Sequence, residues 1–463
     1  MWDHIVKNGV LTDSRSSVRA DLYIRDGVIA AISAEALPGE AAEITDAAGK
    51  LVLPGFIDSH VHSRDGRNGF FYKEDFAHSS AAGAAGGVTT ILEMPNSNPA
   101  VYCADNLLDL AGVLSPKAFT DYGIWGLCLG PVNNGELTAL RDAGAVALKF
   151  FWGYAVDLNS YQLIYNYRDG MENVLPPLDD GQVYQLFREA AKTGLPVAIH
   201  AENFALIRAL TEEIGRSGDD SYAALLASRP AVSELTVIQT AIAFSRALGT
   251  RLHILHLAAG DGVELIRRAK QEGLPVTAET CPHYLALTDK DAERCGSSMK
   301  GYPPVRTQRD QDLLWEGVRD GTISLVCSDH APHSPEEKLR GFREAPAGTA
   351  SIETTSMVML NAVHEGKLDI HRLVSLLSEE PARLFGLHPR KGSLQIGSDA
   401  DLVVVDPDLS YTFHQEDLHS RTKLSPYDGR RFCGKVVKTI LRGRTVAENG
   451  RIVGAPRGVW IRP

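Results

Sequence analysis

The chain has 463 residues, and its 58 acidic side chains outnumber the 47 basic ones, which gives a formal net charge of −11. With 44% hydrophobic and 23% charged residues it has an ordinary globular composition, which excludes a disordered or collagen-like chain. Nucleic acids and anionic membranes need a basic protein face, so the acidic balance predicts neither as a partner.

The cysteines and the first residues indicate the compartment. Six cysteines are scattered along the chain without a CxxC pair, which is typical of reduced thiols in a cytosolic protein. The first residues lack a basic region followed by an apolar run, and no apolar stretch approaches the ~20 residues that cross a bilayer. We therefore expect a soluble, cytoplasmic protein.

Both ends of the chain have the pattern of short strands joined by tight turns. Near the start, the predicted strands are Asp3–Lys7, Ala20–Arg25 and Val28–Ser33, with Asn-Gly and Asp-Gly turns that favour hairpins. Near the end, they are Asp401–Asp406, Gly434–Leu441, Thr445–Asn449 and Arg451–Val453. The pattern predicts one small β-sandwich domain built from both termini, residues 1–52 and 396–463.

Residues 53–395 alternate apolar strands with amphipathic helices. After a first strand that ends near His62, the predicted strands are Val88–Met94, Gly123–Leu129, Val146–Phe151, Pro196–His200, Arg251–Leu257, Pro275–Glu279 and Ile323–Ser328. The clearest helices are Gly181–Thr193, Leu235–Leu248 and Gly262–Glu272. Roughly eight β-then-α units predict a TIM-like (β/α)8 barrel, an α/β fold, with an open doubly wound sheet as the alternative. The long, tyrosine-rich connection Asp157–Asp180 is expected to act as a lid or contact surface.

Polar side chains of the kind that bind metals follow the predicted barrel strands where these end. Two histidines separated by one residue end the first strand, and a period of two places both on one face. A lysine lies inside a later apolar strand, where a bare ammonium is costly. Because the carboxyl ends of barrel strands meet on one face, we expect all six side chains to converge there. They are His60, His62, Lys149, His200, His256 and Asp329.

Six such ligands exceed the needs of one tetrahedral ion and suit a pair of divalent ions that share a ligand and a water. Zinc is expected, and manganese or cobalt would suit the same ligands. Lys149 can bridge two ions only when its nitrogen is uncharged and carries oxygens, for example as a carbamate formed with carbon dioxide. Burial favours the neutral amine that this reaction needs. An unmodified structural lysine remains the alternative.

These residues resemble the amidohydrolase superfamily and, within it, the cyclic amidohydrolases: dihydroorotases, hydantoinases (dihydropyrimidinases) and allantoinases. The resemblance rests on Asp58-Ser59-His60-Val61-His62, on Lys149, His200 and His256, and on Ser328-Asp329-His330. Further matching motifs are Gly86-Gly87-Val88-Thr89-Thr90, Met94-Pro95-Asn96, Glu279-Thr280-Cys281-Pro282-His283 and Ser378–Gly386. The resemblance covers almost the whole chain.

The resemblance implies a role for each metal-ligand candidate. His60 and His62 bind the more buried ion, His200 and His256 bind the other, and carboxylated Lys149 bridges the two. The implied reaction opens a cyclic amide or ureide by attack of a hydroxide on the ring carbonyl. The resemblance also implies a homo-oligomer, a tetramer or a dimer.

Asp329 is the implied catalytic residue: it ligates the first ion, takes the proton of the attacking hydroxide and passes it to the leaving nitrogen. Arg64, Asn96 and His333 match residues that hold the ring carboxylate in dihydroorotases. Tyr154, five residues after the lysine, matches the hydantoinase tyrosine that contacts the tetrahedral oxyanion. The main expectation is a dihydroorotase-like enzyme with a carboxylate-bearing substrate. A hydantoinase, dihydropyrimidinase or allantoinase is the alternative.

Two other classes stay open: a non-catalytic scaffold homologue without metals, and a deaminase-type enzyme with one metal ion. Of the remaining polar residues, Glu202 is expected either to orient a ligand or to begin a helix. His253 is expected in the core, and His283 and His330 beside the site rather than in it. His4 is expected at the surface.

Overall fold

The computed structural model describes residues 1–165 and 167–463. Its strands are β1 (Trp2–Lys7), β2 (Val10–Thr12), β3 (Ser17–Arg19), β4 (Asp21–Arg25), β5 (Val28–Ser33), β6 (Ala41–Asp46), β7 (Leu51–Pro54), β8 (Phe56–Val61), β9 (Val88–Glu93), β10 (Asp121–Ile124), β11 (Gly126–Leu127), β12 (Leu148–Trp152), β13 (Ala155–Asp157), β14 (Leu163–Ile164), β15 (Val174–Leu175), β16 (Val197–Ala201), β17 (Leu252–Ile254), β18 (Val276–Thr280), β19 (Leu325–Val326), β20 (Leu402–Thr412), β21 (Arg431–Leu441), β22 (Arg444–Glu448) and β23 (Arg451–Ile452).

The α-helices are α1 (Phe76–Ala85), α2 (Ala104–Leu114), α3 (Leu137–Ala143), α4 (Asp180–Ala191), α5 (Phe204–Gly215), α6 (Tyr222–Ser228), α7 (Ala231–Leu248), α8 (Gly262–Gln271), α9 (Pro282–Ala286), α10 (Ala292–Cys295), α11 (Gln308–Asp320), α12 (Pro335–Lys338), α13 (Ile352–His364), α14 (Ile370–Val374) and α15 (Glu380–Leu384). Short 3-10 segments cover Ser115–Lys117, Gly130–Val132, Asp289–Asp291, Gly296–Met299 and Gln415–Asp417, and a π-helical turn covers Ser375–Glu379.

Parallel strands close into a barrel in the middle of the chain. One sheet has the order β10-β9-β8, and a second has the order β11-β12-β16-β17-β18-β19. β10 and β11 are one barrel strand interrupted at Trp125. The barrel closes between its first and last strands, where the His62 backbone N–H donates to His330 O and the His330 N–H donates to His60 O. The predicted (β/α)8 barrel is therefore confirmed, and the doubly wound alternative is not.

Both termini contribute to a β-sandwich, as predicted. One sheet has the order β5-β4-β1-β6, and the other joins β2, β3 and β7 to β20, β21, β22 and β23. Apolar side chains of both sheets, such as Val6, Ile24 and Val404, form their shared buried core. Strand β7 crosses the predicted domain boundary between residues 52 and 53. The division of the chain into a β domain of residues 1–52 plus 396–463 and a barrel domain of residues 53–395 stays a prediction.

A buried lysine ties the barrel to the sandwich. Lys391 Nζ lies 2.5 Å from Asp121 Oδ2 on β10, 2.9 Å from Asp399 Oδ2 and 2.6 Å from Asp401 Oδ2. Arg442, in the turn between β21 and β22, also pairs with Asp121. Such buried ions tolerate one another only while each stays paired, so this cluster holds the two parts in one relative position.

Local sequence signals explain where several helices begin and end. Asp179 and Gln182 form a capping box at the start of α4, and α7 ends at Gly249, which has φ +71°. The connection after Asp157 contributes to a small antiparallel sheet, in which β13 pairs with β14 and β15. Asn166 in this connection lies outside the described residues.

One surface prediction is wrong. His4 is fully buried in β1, where its ring contacts Gly443 O and Thr45 Oγ1, because the sandwich covers this strand from both sides. Among the described residues, no helix combines the length and the apolar character that crossing a membrane requires.

Candidate active site

The six predicted metal-ligand candidates line one cleft at the carboxyl ends of the barrel strands. Strand register explains their depths. Lys149 pairs with Ala198, whereas Phe151 pairs with His200, so the lysine lies one pleat deeper than that histidine. The six side chains come from β8 and the residue after it, from β12 and β16, and from the segments that follow β17 and β19. The expected convergence therefore occurs, and it depends on barrel closure rather than on any local motif.

Backbone strain marks the same region. Arg64, His256 and Asp329 have φ of +58°, +36° and +47°, in the left-handed region that non-glycine residues rarely adopt. Each lies just beyond a strand end, where the chain turns sharply and aims its side chain at the cleft. Strain of this kind persists where the surroundings over-determine it, and it clusters at functional sites.

Three acceptor atoms crowd together in the first half of the cleft. His60 Nε2 lies 3.2 Å from His62 Nε2, and Asp329 Oδ1 lies 3.2 Å and 3.5 Å from these two nitrogens. The Nδ1–H of His60 donates to Glu279 Oε1 at 2.7 Å, and the Nδ1–H of His62 donates to Asn96 Oδ1 at 2.7 Å. Both Nε2 atoms therefore carry lone pairs, which face each other and a carboxylate oxygen.

The second half of the cleft repeats this arrangement. His200 Nδ1 lies 3.1 Å from His256 Nε2, and the Nε2–H of His200 donates to Glu202 Oε2 at 2.9 Å. Tyr154 completes the wall, with its hydroxyl oxygen 3.3 Å from His200 Nε2. Glu202 thus orients a histidine, which is the first of its two expected roles.

Burial favours the neutral form of His62, His200 and His256. It lowers the pKa of His62 to about 3 and holds the pKa values of His200 and His256 below the ordinary range of histidine. Neutral imidazole is the form that binds divalent metals.

Lys149 is a fully buried amine. Within residues 1–165 and 167–463, its Nζ has no hydrogen-bond partner. Burial lowers its pKa to about 8, against the opposing charges of Asp329 and Glu279. The lysine therefore has an accessible neutral form at the base of the cleft, which is the form that reacts with carbon dioxide.

These observations fit divalent ions. Lone pairs of histidine nitrogens and a carboxylate oxygen repel one another when no hydrogen-bond donor lies between them. A bound cation replaces this repulsion with attraction. In His60, His62 and His200, the ring nitrogen that faces away from the cluster donates to a neighbouring side-chain oxygen. This is the usual arrangement around a metal-binding histidine. The donor set thus suits the group that the sequence predicts.

Arg64 and His333 lie together at the rim of the cleft. Lys73 Nζ donates to His333 Nδ1 at 3.1 Å, so the Nε2–H of that ring donates to Ala347 O at 3.0 Å. The Nε2 atom then cannot accept from Arg64 Nη2, 3.2 Å away, and Arg64 Nε is buried without a partner among the described residues. The guanidinium of Arg64 is therefore an uncompensated cation beside the cleft.

Several residues of the site were not predicted from the sequence. Glu279 was noted only within a motif, although a carboxylate in the apolar strand β18 is as costly as the lysine in β12 and could have been found on the same grounds. His253 is in the core as expected, and its Nε2–H donates to Glu279 Oε2 at 3.1 Å. Tyr165, from the tyrosine-rich connection Asp157–Asp180, lines the cleft, and Tyr302 lines it without any local signal. His283 and His330 are buried and lie outside the cleft lining, as expected.

Comparison with known proteins agrees with this geometry. The model of the amidohydrolase family matches residues 51–446. The chain belongs to the amidohydrolase family. It is 38% identical over 459 residues to an L-hydantoinase of Paenarthrobacter aurescens, covering 98% of this chain and 96% of that protein. It is 39% identical over 466 residues to an allantoinase of Rubrobacter xylanophilus, covering 100% and 98%.

A solved structure of the L-hydantoinase (dihydropyrimidinase) from Arthrobacter aurescens superposes with a TM-score of 0.92 at 37% identity, over 100% of both chains. A D-hydantoinase structure superposes with a TM-score of 0.89 at 31% identity, over 99% of this chain and 98% of that one. This amidohydrolase is therefore an enzyme, a cyclic amidohydrolase of the hydantoinase and allantoinase type. The alternative expectation fits these relatives better than the dihydroorotase-like main expectation does.

Proposed function

We propose that the protein hydrolyses the ring amide of a five-membered cyclic ureide of the hydantoin or allantoin type. The observation that carries the proposal is the cluster of four histidines, Asp329 and the unpartnered Lys149 in one cleft. The names of the most similar relatives support the choice of ring.

We propose that two divalent ions, with zinc as the first candidate, are held by the two histidine pairs, Asp329 and Lys149. Bound there, the ions would polarise the ring carbonyl and lower the pKa of water. Lys149 would bridge them after its neutral Nζ adds to carbon dioxide and releases one proton, which yields the carbamate. Metal analysis of the purified protein tests the ion count, and reconstitution of metal-free protein with and without ¹³C-bicarbonate, read by carbon NMR, tests the carbamate.

The residues of the cleft would then divide the work of hydrolysis. Asp329 takes one proton from the attacking water and delivers it to the ring nitrogen, as a carbon–oxygen bond forms and the carbon–nitrogen bond breaks. Tyr154 donates a hydrogen bond from its hydroxyl to the carbonyl oxygen as that oxygen gains negative charge. The product is an open-chain ureido acid, which ionises to a carboxylate at neutral pH.

A panel of rings tests this function. Metal-replete protein is assayed with hydantoin, allantoin, dihydrouracil and dihydroorotate, beside Asp329→Asn as a matched inactive variant. We expect turnover of a five-membered ring by the wild type and a loss of activity in the variant. Equal activity of both proteins would refute the role of Asp329, and no turnover of any ring would refute the function.

Arg64 supports a second candidate, a substrate with an acidic substituent as in dihydroorotases. An uncompensated guanidinium beside the cleft is a strong partner for a carboxylate. Dihydroorotate and dihydrouracil differ by one carboxylate, so the kcat/KM for dihydroorotate divided by that for dihydrouracil isolates this contact. If Arg64 binds the carboxylate, Arg64→Gln should lower this ratio. Arg67→Gln, at an exposed arginine paired with Asp109, should leave it unchanged. An unchanged ratio in Arg64→Gln removes this candidate.

Assembly and location also belong to the proposal. The cyclic amidohydrolases that the chain resembles imply a tetramer or a dimer in the cytoplasm. Light scattering of the purified protein measures its mass in solution, and a value of one chain would refute the homo-oligomer.

A further inference from the structure

A side chamber of about 610 Å³ adjoins the catalytic cleft. Tyr154, Tyr165 and Tyr302 line both spaces, so a wall of tyrosine rings separates them. The cleft itself has about 60 Å³, whereas small-molecule sites typically have about 300–1,000 Å³. The chamber thus has the volume of a binding site and lies one ring away from the reacting groups.

The inner end of the chamber offers an unsatisfied acceptor. Glu202 is 2% exposed, and its Oε2 accepts from His200 Nε2 and from Arg229 Nη1. Its Oε1 is also buried and has no hydrogen-bond partner in the part of the chain that the structure describes. A carboxylate oxygen can only accept, so this atom can take an N–H or O–H donor.

The side wall of the chamber is apolar. Helix α5 is amphipathic, yet none of its residues is buried in the protein interior. Phe204 and Ile207 of this helix line the chamber, as do Trp152 and Phe342. Apolar groups that face a cavity of this size can pack against the hydrocarbon body of a ligand.

The remaining lining is rich in arginine. Five arginines and four carboxylates line the chamber, in a protein whose net charge is −11. Within residues 1–165 and 167–463, Arg208 pairs with Asp169 and Arg229 pairs with Glu202, whereas Arg168, Arg216 and Arg343 form no ion pair. The lining carboxylates Glu212, Asp219 and Asp220 form no ion pair there either, and Asp220 Oδ1 accepts from the backbone N–H of Arg343. Exposed guanidinium groups without a partner can bind a carboxylate from solution.

We propose that the side chamber is a second binding site, which takes the ring-opened product of the reaction. Opening a cyclic ureide yields a carbamoyl –NH₂ at one end, a carboxylate at the other and the ring substituent between them. The carbamoyl N–H donates to Glu202 Oε1, the carboxylate faces the free arginines, and the substituent packs on α5. The closed ring has no carboxylate, so the chamber prefers product over substrate. This inference rests on the proposed function, which defines the product.

The test fills the chamber without touching the catalytic cleft. Ile207→Trp places a large ring in the space, and Ala209→Trp, at an exposed position of the same helix outside the chamber, is the matched control. The probe is N-carbamoyl-phenylalanine, the ring-opened form of 5-benzylhydantoin, titrated calorimetrically into the full-length, metal-replete protein. We expect Ile207→Trp to raise the Kd by about tenfold or more and Ala209→Trp to leave it unchanged.

A second variant guards against misfolding of the first. Arg343 is exposed, so Arg343→Gln should fold normally and weaken binding of the probe by about threefold to tenfold through the lost charge. In steady-state kinetics the probe should lower the apparent kcat of the wild type, because it binds beside the substrate. In Ile207→Trp the probe should raise only the apparent KM, because it can then bind only in the catalytic cleft, in competition with the substrate.

The outcomes separate the chamber from the function. Unchanged Kd values in both Ile207→Trp and Arg343→Gln, or purely competitive inhibition of the wild type, would overturn the chamber site. If the wild type opens no cyclic ureide but binds the probe, and Ile207→Trp weakens that binding, the proposed function fails and the site stands. If it opens the ring and the variants bind the probe normally, only the chamber site fails.

Discussion

Replacing Glu279 by glutamine tests how the histidine cluster is oriented. Its carboxylate accepts from the Nδ1–H of His60 at 2.7 Å, the Nε2–H of His253 at 3.1 Å and the hydroxyl of Ser59 at 3.2 Å. All of these groups are buried. Glu279→Gln keeps the shape of the side chain but turns one acceptor into a donor. If the amide oxygen keeps His60, the amide –NH₂ faces the other two donors.

The expected cost follows from these contacts. A buried donor that loses its acceptor costs about 1–3 kcal/mol. His253 can relieve part of this cost by moving its proton to Nδ1, which lies 2.8 Å from Thr277 Oγ1. We therefore expect the metal-free variant to lose about 1–3 kcal/mol of unfolding free energy. If His60 binds a metal, the looser ring should also lower the affinity for zinc by about 10- to 100-fold.

Urea unfolding of metal-free protein measures the first effect, and competition with a chromophoric zinc chelator measures the second. Glu264→Gln is the control, because Glu264 is a half-exposed glutamate on α8 that pairs with Arg267 and Arg268 of the same helix. Its stability should stay within about 0.5 kcal/mol of the wild type. A zinc affinity of Glu279→Gln within about twofold of the wild type would refute the reasoning that this carboxylate orients His60 as a ligand.

Three further predictions concern other parts of the molecule. Tyr154→Phe should lower kcat by about 10²- to 10³-fold with unchanged metal content, and an unaffected kcat would exclude its contact with the oxyanion. Burial and Lys300 lower the pKa of Lys338 to about 7, so the unfolded chain binds more protons between pH 7 and 10.5. The unfolding free energy of the wild type should therefore rise from pH 7 to 10.5, by on the order of 5 kcal/mol more than that of Lys338→Met. Urea unfolding at several pH values measures both, and the same pH dependence in the two proteins would contradict this. Lys391→Met removes the cation that three buried aspartates share, although Asp121 keeps Arg442 and Asp399 keeps Arg390. It should cost about 3–5 kcal/mol in urea unfolding, whereas wild-type stability would show that the cluster contributes nothing.

The candidate ligands could be found in the sequence because their signals are local. His60 and His62 share a face through the period of a strand, and Lys149 stands out as a charge among apolar neighbours. Alternation of strands and helices then predicts a barrel, and a barrel brings strand ends together. Helices with strong caps, such as α4, were also predicted within two residues of their observed ends.

Contacts between segments that are distant in the chain could not be found in this way. Glu279 joins His60 across 219 residues, and His4 is buried only because the two termini form a sandwich around it. The uncompensated charge of Arg64 depends on which nitrogen of His333 is occupied by Lys73. Hydrophobic pattern and spacing determine the elements and the side chains that they carry. Closure of the barrel and packing of its loops alone decide which of those side chains meet, because burial and hydrogen bonding act between neighbours in space.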